Sequence, residues 1–226
     1  MKTAKVQDSP YYNYPLLKDE SIEKSFFYVI SKRLLDIVGS LVGLILLLPI
    51  FIIVAILIKI EDPKGPIFFS QVRVGKNNKE FKMYKFRSMV TDAEEKLQQL
   101  LKYNEVSGAM FKMKDDPRIT NIGKFIRKTS IDELPQLMNV LIGNMSLVGP
   151  RPPLPREVSE YTNYDMQRLL VTPGCTGLWQ VSARNSVGFE EMVELDLEYI
   201  QNRTIIYDAT IIFKTIKVLF GSKNAF

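Results

Sequence analysis

Histidine is absent from this 226-residue chain, and cysteine occurs once, at Cys175. The first absence removes the commonest general base, the Ser-His and Cys-His nucleophile pairs, and most zinc or copper sites. The second excludes an intramolecular disulfide and every paired-cysteine zinc site. Proton transfer must then fall to carboxylates, lysine, tyrosine or cysteine. A metal would be a hard cation held by oxygen, which favours Mg²⁺. Glycine-rich loops of the G-x-x-x-x-G-K-[ST] and G-x-G-x-x-G kinds are also missing, so ATP-loop and dinucleotide-fold readings lose support. The N-terminus does not read as a cleavable signal: the apolar run starts late, is long, and lacks a small-residue cleavage site after it.

What is present is a chain 46% apolar, with 13 Phe and 10 Tyr, enough for a core. Its net charge of +5 suits anionic partners without choosing among them. No recognised nucleic-acid module or basic helix is present, and nucleic acid is not an expected partner. From Ile37 to Ile58 there are 22 residues without a charge, with Pro49 near the middle. Lys32 and Arg33 precede the run; Lys59 and Lys64 follow it. At ~1.5 Å per residue the run reaches about 33 Å, close to the hydrocarbon thickness of a bilayer. Pro49 removes a backbone donor and should kink the helix, leaving halves too short to cross alone. Basic residues on both sides give a spanning helix no clear direction. The residues leave crossing and turning back equally open.

After Asp62-Pro63-Lys64-Gly65-Pro66 the pattern changes. Residues 67–74 and 80–86 alternate as strands of a basic hairpin about a turn at 75–79. Helices are predicted over 91–103, 122–128, 130–141, 157–170 and 190–201, with loops over 115–120 and 143–155. A turn is predicted at 172–177 and a short strand at 178–182. Residues 205–220 place Ile205, Ala209, Ile212, Ile216 and Leu219 at helical spacing, with Lys214 and Lys217 off that face. This fits an interfacial helix or a core helix.

Ser130-Ile131-Asp132-Glu133 has two readings. Ser-x-x-Glu is a capping box, with Asp132 an ordinary first-turn carboxylate. Alternatively, two adjacent carboxylates about 100° apart around a helix start can divide chemical roles between them. Arg127 and Lys128 just before could neutralise a phosphate. Lys85 and Arg87 fit either a solvated edge strand or a phosphate-facing one, with Phe86 on the opposite side. Arg151, between Pro150 and Pro152, sits on stiffened backbone that lowers the entropy lost on binding an anion.

Together the segments resemble the bacterial sugar transferases, the monotopic phosphoglycosyl transferases that start lipid-linked glycan assembly. The resemblance runs from about Lys32 to Phe220. It rests on Lys32-Arg33-Leu34-Leu35-Asp36, Gln71-Val72-Arg73-Val74-Gly75, Tyr84-Lys85-Phe86-Arg87-Ser88-Met89 and Asp116-Pro117-Arg118. It continues with Arg127-Lys128-Thr129-Ser130-Ile131-Asp132-Glu133, Gly149-Pro150-Arg151-Pro152, Pro173-Gly174-Cys175-Thr176-Gly177 and Trp179-Gln180-Val181-Ser182-Ala183-Arg184-Asn185.

The resemblance implies transfer of a sugar-1-phosphate from a UDP-sugar to polyprenyl (undecaprenyl) phosphate, with release of UMP. Asp132 would form a phosphosugar-aspartyl intermediate. Glu133 would be its Mg²⁺-binding and acid/base partner, with Asp132 also near the metal. Arg127 and Arg151 would bind phosphate or nucleotide, and Lys85, Arg87 and Arg184 are further substrate-binding candidates. Asp36 would tie the membrane helix to the catalytic domain, and Pro49 would bend it. The Leu178-Trp179-Gln180 string looks like the branch that transfers glucose- or galactose-1-phosphate. Leu48 departs from the serine that often precedes the family's proline, and the lost hydroxyl weakens the case for a sharp break.

The implied fold is mixed α/β and mostly helical. A re-entrant helix-break-helix joins a membrane-surface catalytic domain with a small β-hairpin and amphipathic interfacial helices. The implied division is a polar segment over 1–30, the membrane helix over 31–60 and the catalytic domain over 61–226. The implied location is the inner leaflet of a bacterial cytoplasmic membrane, with the catalytic domain facing the cytosol. A homo-oligomer and downstream glycosyltransferases are compatible partners. The competing reading is a non-enzymatic membrane-anchored adaptor that binds nucleotide or partner proteins.

Overall fold

The computed structural model describes residues 17, 22–100, 113, 115–182 and 188–221. The apolar run forms the centre of a long helix, α1 (Phe26–Glu61), started by Ser25, whose Oγ accepts from the Tyr28 N–H at 3.3 Å. Among the described residues it alone is long and apolar enough to cross a membrane. The helix continues through Pro49 as one element, where the sequence suggests a helix-break-helix.

Both ends of α1 are held by residues that follow it in the chain. Near the start, Lys32 Nζ donates to Asp208 at 2.8 Å and to the Val148 carbonyl at 3.1 Å. Arg33 donates to the carbonyls of Val140 and Leu141 at 2.7 and 2.8 Å. The buried Asp36 carboxylate accepts from the Ser146 hydroxyl and the Leu147 N–H at 2.9 and 2.8 Å. At the far end, Glu61 accepts the Asn121 and Ile122 N–H groups at 2.7 and 3.0 Å. These are two of the donors that the helix beginning at Asn121 leaves unpaired at its start. Val54 and Ile58 are buried against Phe86 and Ile126, and Phe51 tilts on Phe86 at 5.0 Å between centroids. The opposite face of α1 is an exposed apolar stripe that includes Leu34, Leu41, Ile45, Ile52, Ile56 and Ile60.

The hairpin forms as its alternation predicts. Strand β1 (Phe68–Val74) pairs antiparallel with β2 (Glu80–Phe86), Phe68 opposite Phe86 and Val74 opposite Glu80. Asn77 and Asn78 turn the chain at positive φ, 56° and 61°, which asparagine tolerates better than most residues. Helix α2 (Ala93–Leu100) follows; the predicted 101–103 portion lies outside the described residues.

Helix α3 (Asn121–Lys128) is capped by the Thr120 hydroxyl, which accepts from the Gly123 N–H at 2.9 Å. The single helix predicted over 130–141 divides into a 3₁₀ turn, Ile131–Glu133, and α4 (Gln136–Ile142). Gly143 closes α4 at φ 92°, an angle that suits glycine. Within the stretch read as loop lies β3 (Ser146–Val148), followed by α5 (Pro155–Val158). The helix predicted to run on to Leu170 is instead a separate 3₁₀ segment, Asp165–Leu170. The predicted turn at 172–177 contains β4 (Gly174–Thr176), parallel to β3. The predicted strand 178–182 is helix α6 (Leu178–Ser182). Helices α7 (Phe189–Asn202) and α8 (Ile205–Gly221) complete the order. The fold is mostly helical with a small two-stranded antiparallel sheet and one parallel strand pair.

The largest core gathers around Val148, Leu178, Val193, Ile200 and Ile211. Tyr199 is buried in it and donates to Asp208 at 2.7 Å, so the ion pair of Lys32 is itself hydrogen-bonded. Asn139, fully buried, joins α4 to β2: its Oδ1 accepts the Tyr84 N–H at 2.9 Å and its Nδ2 donates to the Lys82 carbonyl at 2.7 Å. Asn139→Leu leaves both backbone groups unpaired. The expected cost is about 3 kcal/mol. That corresponds to a fall of roughly 10 °C in the thermal unfolding midpoint. An unchanged midpoint would show that water replaces the amide.

Candidate active site

The residues between α3 and α4 put two carboxylates at the wall of a cavity of about 1600 Å³. Thr129 ends α3, and Ser130 takes the left-handed conformation, φ 56° and ψ 17°. Its side chain makes no cap hydrogen bond, so the capping box read from Ser-x-x-Glu does not form. A serine held at positive φ is strained, and such strain persists where the surroundings over-determine it. The 3₁₀ turn that follows directs Asp132 and Glu133 into the cavity.

Lys85 on β2 meets Glu133 at 2.7 Å. Phe86 turns the other way, onto α1, as the strand period requires. Arg127, in the last turn of α3, and Arg151, between the prolines, also line the cavity. Neither side chain has a hydrogen-bonding or ion-pairing partner among the described residues. Arg87 lines the cavity edge, but its guanidinium is paired with the Asp62 carboxylate and donates to the Asp62 carbonyl at 3.2 Å. It braces the turn after α1. Arg184 lies outside the described residues. Asp36 and Pro49 sit on α1, Asp36 as the tie to β3.

The two carboxylates are pushed apart in acidity. Burial raises Asp132, and the Glu133 charge adds to the rise, while Lys85 and Arg127 oppose it; the result is a pKa of about 6. Burial also acts to raise Glu133. The Lys85 ammonium outweighs it, with Arg151 and Arg73 helping, and Glu133 is held below the ordinary glutamate range. Adjacent titratable groups with opposite shifts are a common arrangement where one group reacts and the other stays charged.

The donor set fits a hard divalent cation in part. Asp132 and Glu133 offer carboxylate oxygens on one wall, and no cluster of three His, Cys, Asp or Glu occurs among the described residues. Mg²⁺ commonly takes one or two carboxylates and completes its shell with substrate phosphate and water. Arg73, Lys85, Arg127, Arg151 and Arg156 line the cavity with the two carboxylates, while Arg87 and Arg118, also in its lining, are paired with Asp62 and Asp116. The excess suits a multiply charged anion.

Sequence reasoning gave no role to Arg73, Gln136, Trp179 or Gln180, all of which line the cavity. Trp179 Nε1 and Gln180 Oε1 are buried polar atoms without a partner among the described residues. Read as a strand, 178–182 gives no reason to place these side chains in one cavity with Asp132. Towards α1 and α8 the cavity becomes apolar, lined by Leu35, Val38, Leu47, Ile212 and Ile216.

The chain is 50% identical over 203 residues to a galactosyl transferase, CpsE, of Streptococcus agalactiae, covering 88% of this chain and 44% of the relative. It is 46% identical over 199 residues to an undecaprenyl-phosphate galactose phosphotransferase of Salmonella typhimurium, covering 86% and 41%. It is 40% identical over 201 residues to the exopolysaccharide production protein ExoY of Sinorhizobium fredii, covering 87% and 88%. The chain thus spans less than half the length of the first two and most of the third. The bacterial sugar transferase profile matches residues 27–222. The chain belongs to the bacterial sugar transferase family.

Proposed function

We propose that this protein transfers a hexose-1-phosphate, from UDP-glucose or UDP-galactose, to undecaprenyl phosphate and releases UMP. This would be the first membrane step in assembling an exopolysaccharide, capsule, O-antigen or glycoprotein glycan. The observation that carries the reading is the pair of adjacent carboxylates with opposed acidities in a cavity rich in cations. The choice of hexose and of lipid acceptor follows the names of the relatives.

The chemistry needs no histidine. An Asp132 carboxylate oxygen attacks the β-phosphorus of the donor. The bond from that phosphorus to the oxygen bridging to the α-phosphorus breaks, and UMP leaves with its electron pair. A phosphate oxygen of the lipid then attacks the same phosphorus, and the Asp132 oxygen departs. At pH 7 a group with a pKa of about 6 is still mostly ionised, so Asp132 is available as a nucleophile. Glu133 remains charged beside Lys85, which suits holding a cation with Asp132 more than donating a proton. Mg²⁺, when bound there, offsets diphosphate charge. Among the described residues nothing pairs with the Arg127 and Arg151 guanidinium groups, which leaves them to offer the phosphates.

The apolar helix is read as re-entrant in the cytoplasmic leaflet of the inner membrane. Supporting this, Lys32, Arg33 and Asp36 near one end of α1 and Glu61 at the other all bond to one domain. A helix that crossed the bilayer would put its two ends on opposite sides of the hydrocarbon, where residues on one side of the membrane cannot reach both. In a Cys175→Ser background, a cysteine placed at Lys24 should react only with reagents that reach the cytosol. Labelling from outside intact cells would mean a true span.

The activity is tested with membranes containing the protein and a panel of UDP-sugars. UMP should appear with UDP-glucose or UDP-galactose, and only when Mg²⁺ and polyprenyl phosphate are both supplied for full turnover. No UMP from any UDP-sugar would leave the adaptor reading in its place.

A further inference from the structure

Strand β1 departs from the pattern that a half-buried strand follows. Val72 is 42% exposed, while Arg73 beside it is 6% exposed. An apolar residue facing out and a charge facing in is a choice that stability does not favour, and such choices concentrate at functional sites. The Arg73 guanidinium has no carboxylate partner among the described residues. Its Nη1 donates to the Pro152 carbonyl at 3.0 Å and its Nη2 to Gln71 Oε1 at 2.8 Å, while Nε is buried without a partner. Burial, with the neighbouring Arg151 charge, pushes the pKa down to about 10. A buried charge met only by neutral oxygens costs free energy, so its retention calls for a reason beyond the fold.

The loop carrying Arg151 supplies a comparison. Four consecutive carbonyls are each caught by a different donor. Pro150 accepts from the Gly174 N–H at 2.8 Å, Arg151 from Arg168 Nη2 at 3.4 Å, Pro152 from Arg73, and Pro153 from the Val74 N–H at 2.9 Å. Two of the donors are buried arginines with the same mechanical task. Arg168 is neutralised by Asp196 at 2.7 Å. Arg73 has no carboxylate at ion-pair distance among the described residues, with Glu157 and Glu133 acting on it only from further off, and it alone of the two lines the cavity, with Lys85, Glu133 and Arg151. Pinning the loop requires a donor; it does not require an uncompensated charge.

We propose that Arg73 positions the donor's diphosphate: it fixes the Arg151 loop through Pro152, and its unneutralised charge draws a nucleoside diphosphate into the cavity. The inference rests on the transferase reading and assigns that site a residue.

The test separates charge from pinning. UDP binding to the full chain in detergent is followed through Trp179, the sole tryptophan and a cavity residue. Arg73→Gln keeps a donor for the Pro152 carbonyl and loses the charge; Arg73→Lys keeps the charge and loses the fork. UDP should bind Arg73→Gln at least tenfold more weakly than the wild type, and Arg73→Lys within threefold of it. In turnover, Arg73→Gln should raise KM for the UDP-sugar at least tenfold and leave KM for polyprenyl phosphate within twofold. Unchanged UDP affinity in Arg73→Gln overturns the proposal. So does an equal loss in both variants, which would make Arg73 a loop pin only. If Arg73→Gln does not fold, Arg73→Asn, which also keeps an amide donor and loses the charge, takes its place. If neither neutral variant folds, Arg73→Lys decides, and a loss of tenfold or more is the contrary result. A wild-type chain that binds UDP but releases no UMP undoes the transferase reading and leaves Arg73 to be judged on binding alone.

Discussion

Asp132→Asn is expected to abolish UMP release, by a factor of 10⁴ or more, and to raise the thermal unfolding midpoint. The first effect follows because an amide cannot form the acyl phosphate, and the adjacent Glu133 carboxylate is committed to Lys85 at 2.7 Å; removal of a nucleophile commonly costs about this much. The second follows from the raised pKa. Asp132 in the fold binds its proton up to about 6, against an ordinary 3.8. Between those values the folded state holds more protons than the unfolded one, so stability falls as pH rises through the window, and the cost persists above it. Two units correspond to at most about 3 kcal/mol. Asparagine removes the charge and the cost. The gain in midpoint should be several degrees at pH 7.5 and should vanish below pH 4. A variant that is both inactive and less stable at pH 7.5 would mean that Asp132 supports the fold through contacts that asparagine cannot replace.

Lys85→Met should have the next largest effect, and its signature is in the pH profile. For the wild type the rate should fall as pH drops through about 6, where Asp132 takes its proton. After burial, Lys85 is the largest influence on Asp132, and it opposes the rise. It is also the main charge holding Glu133 ionised, at 2.7 Å. Without it the acidity of both carboxylates falls, and the acidic limb moves above 6 toward neutrality. Loss of one such electrostatic contact costs roughly 10²–10³-fold in rate at pH 7. Part of the loss should return at pH 8.5, as Asp132 ionises again. Lys85→Arg, which keeps the charge, should hold the limb near the wild-type position. A limb that stays at the same pH in Lys85→Met would show that Asp132 is not the group titrating.

How much of this was legible depended on the range of the interactions. The hairpin was readable almost to the residue, since alternation and an Asn-Asn turn are local signals. Strand β3 was not, because its partner, Gly174–Thr176, lies beyond an intervening segment, and neither three-residue stretch announces itself. Residues 178–182 were read as strand on five mainly apolar residues, too few for periodicity to separate strand from helix.

The carboxylate pair was visible as a pair. Its spacing alone favours a capping box, and the left-handed Ser130 removes that reading. Lys85, Arg127 and Arg151 do converge on Asp132 and Glu133, while Arg87 goes to Asp62. Nothing local in Asp62-Pro63-Lys64-Gly65 foretells that pairing. Arg73 was passed over because a charge in a strand reads as solvated until its burial is known.

The most direct measurement of the central claim is the intact mass of the protein after incubation with UDP-sugar and Mg²⁺ in the absence of lipid acceptor. The account predicts one added hexose phosphate per chain, located on the peptide containing Asp132, formed with an equal amount of UMP and discharged when polyprenyl phosphate is added. Full turnover with lipid by the Asp132→Asn protein, or UMP release with the adduct on another residue, would contradict it.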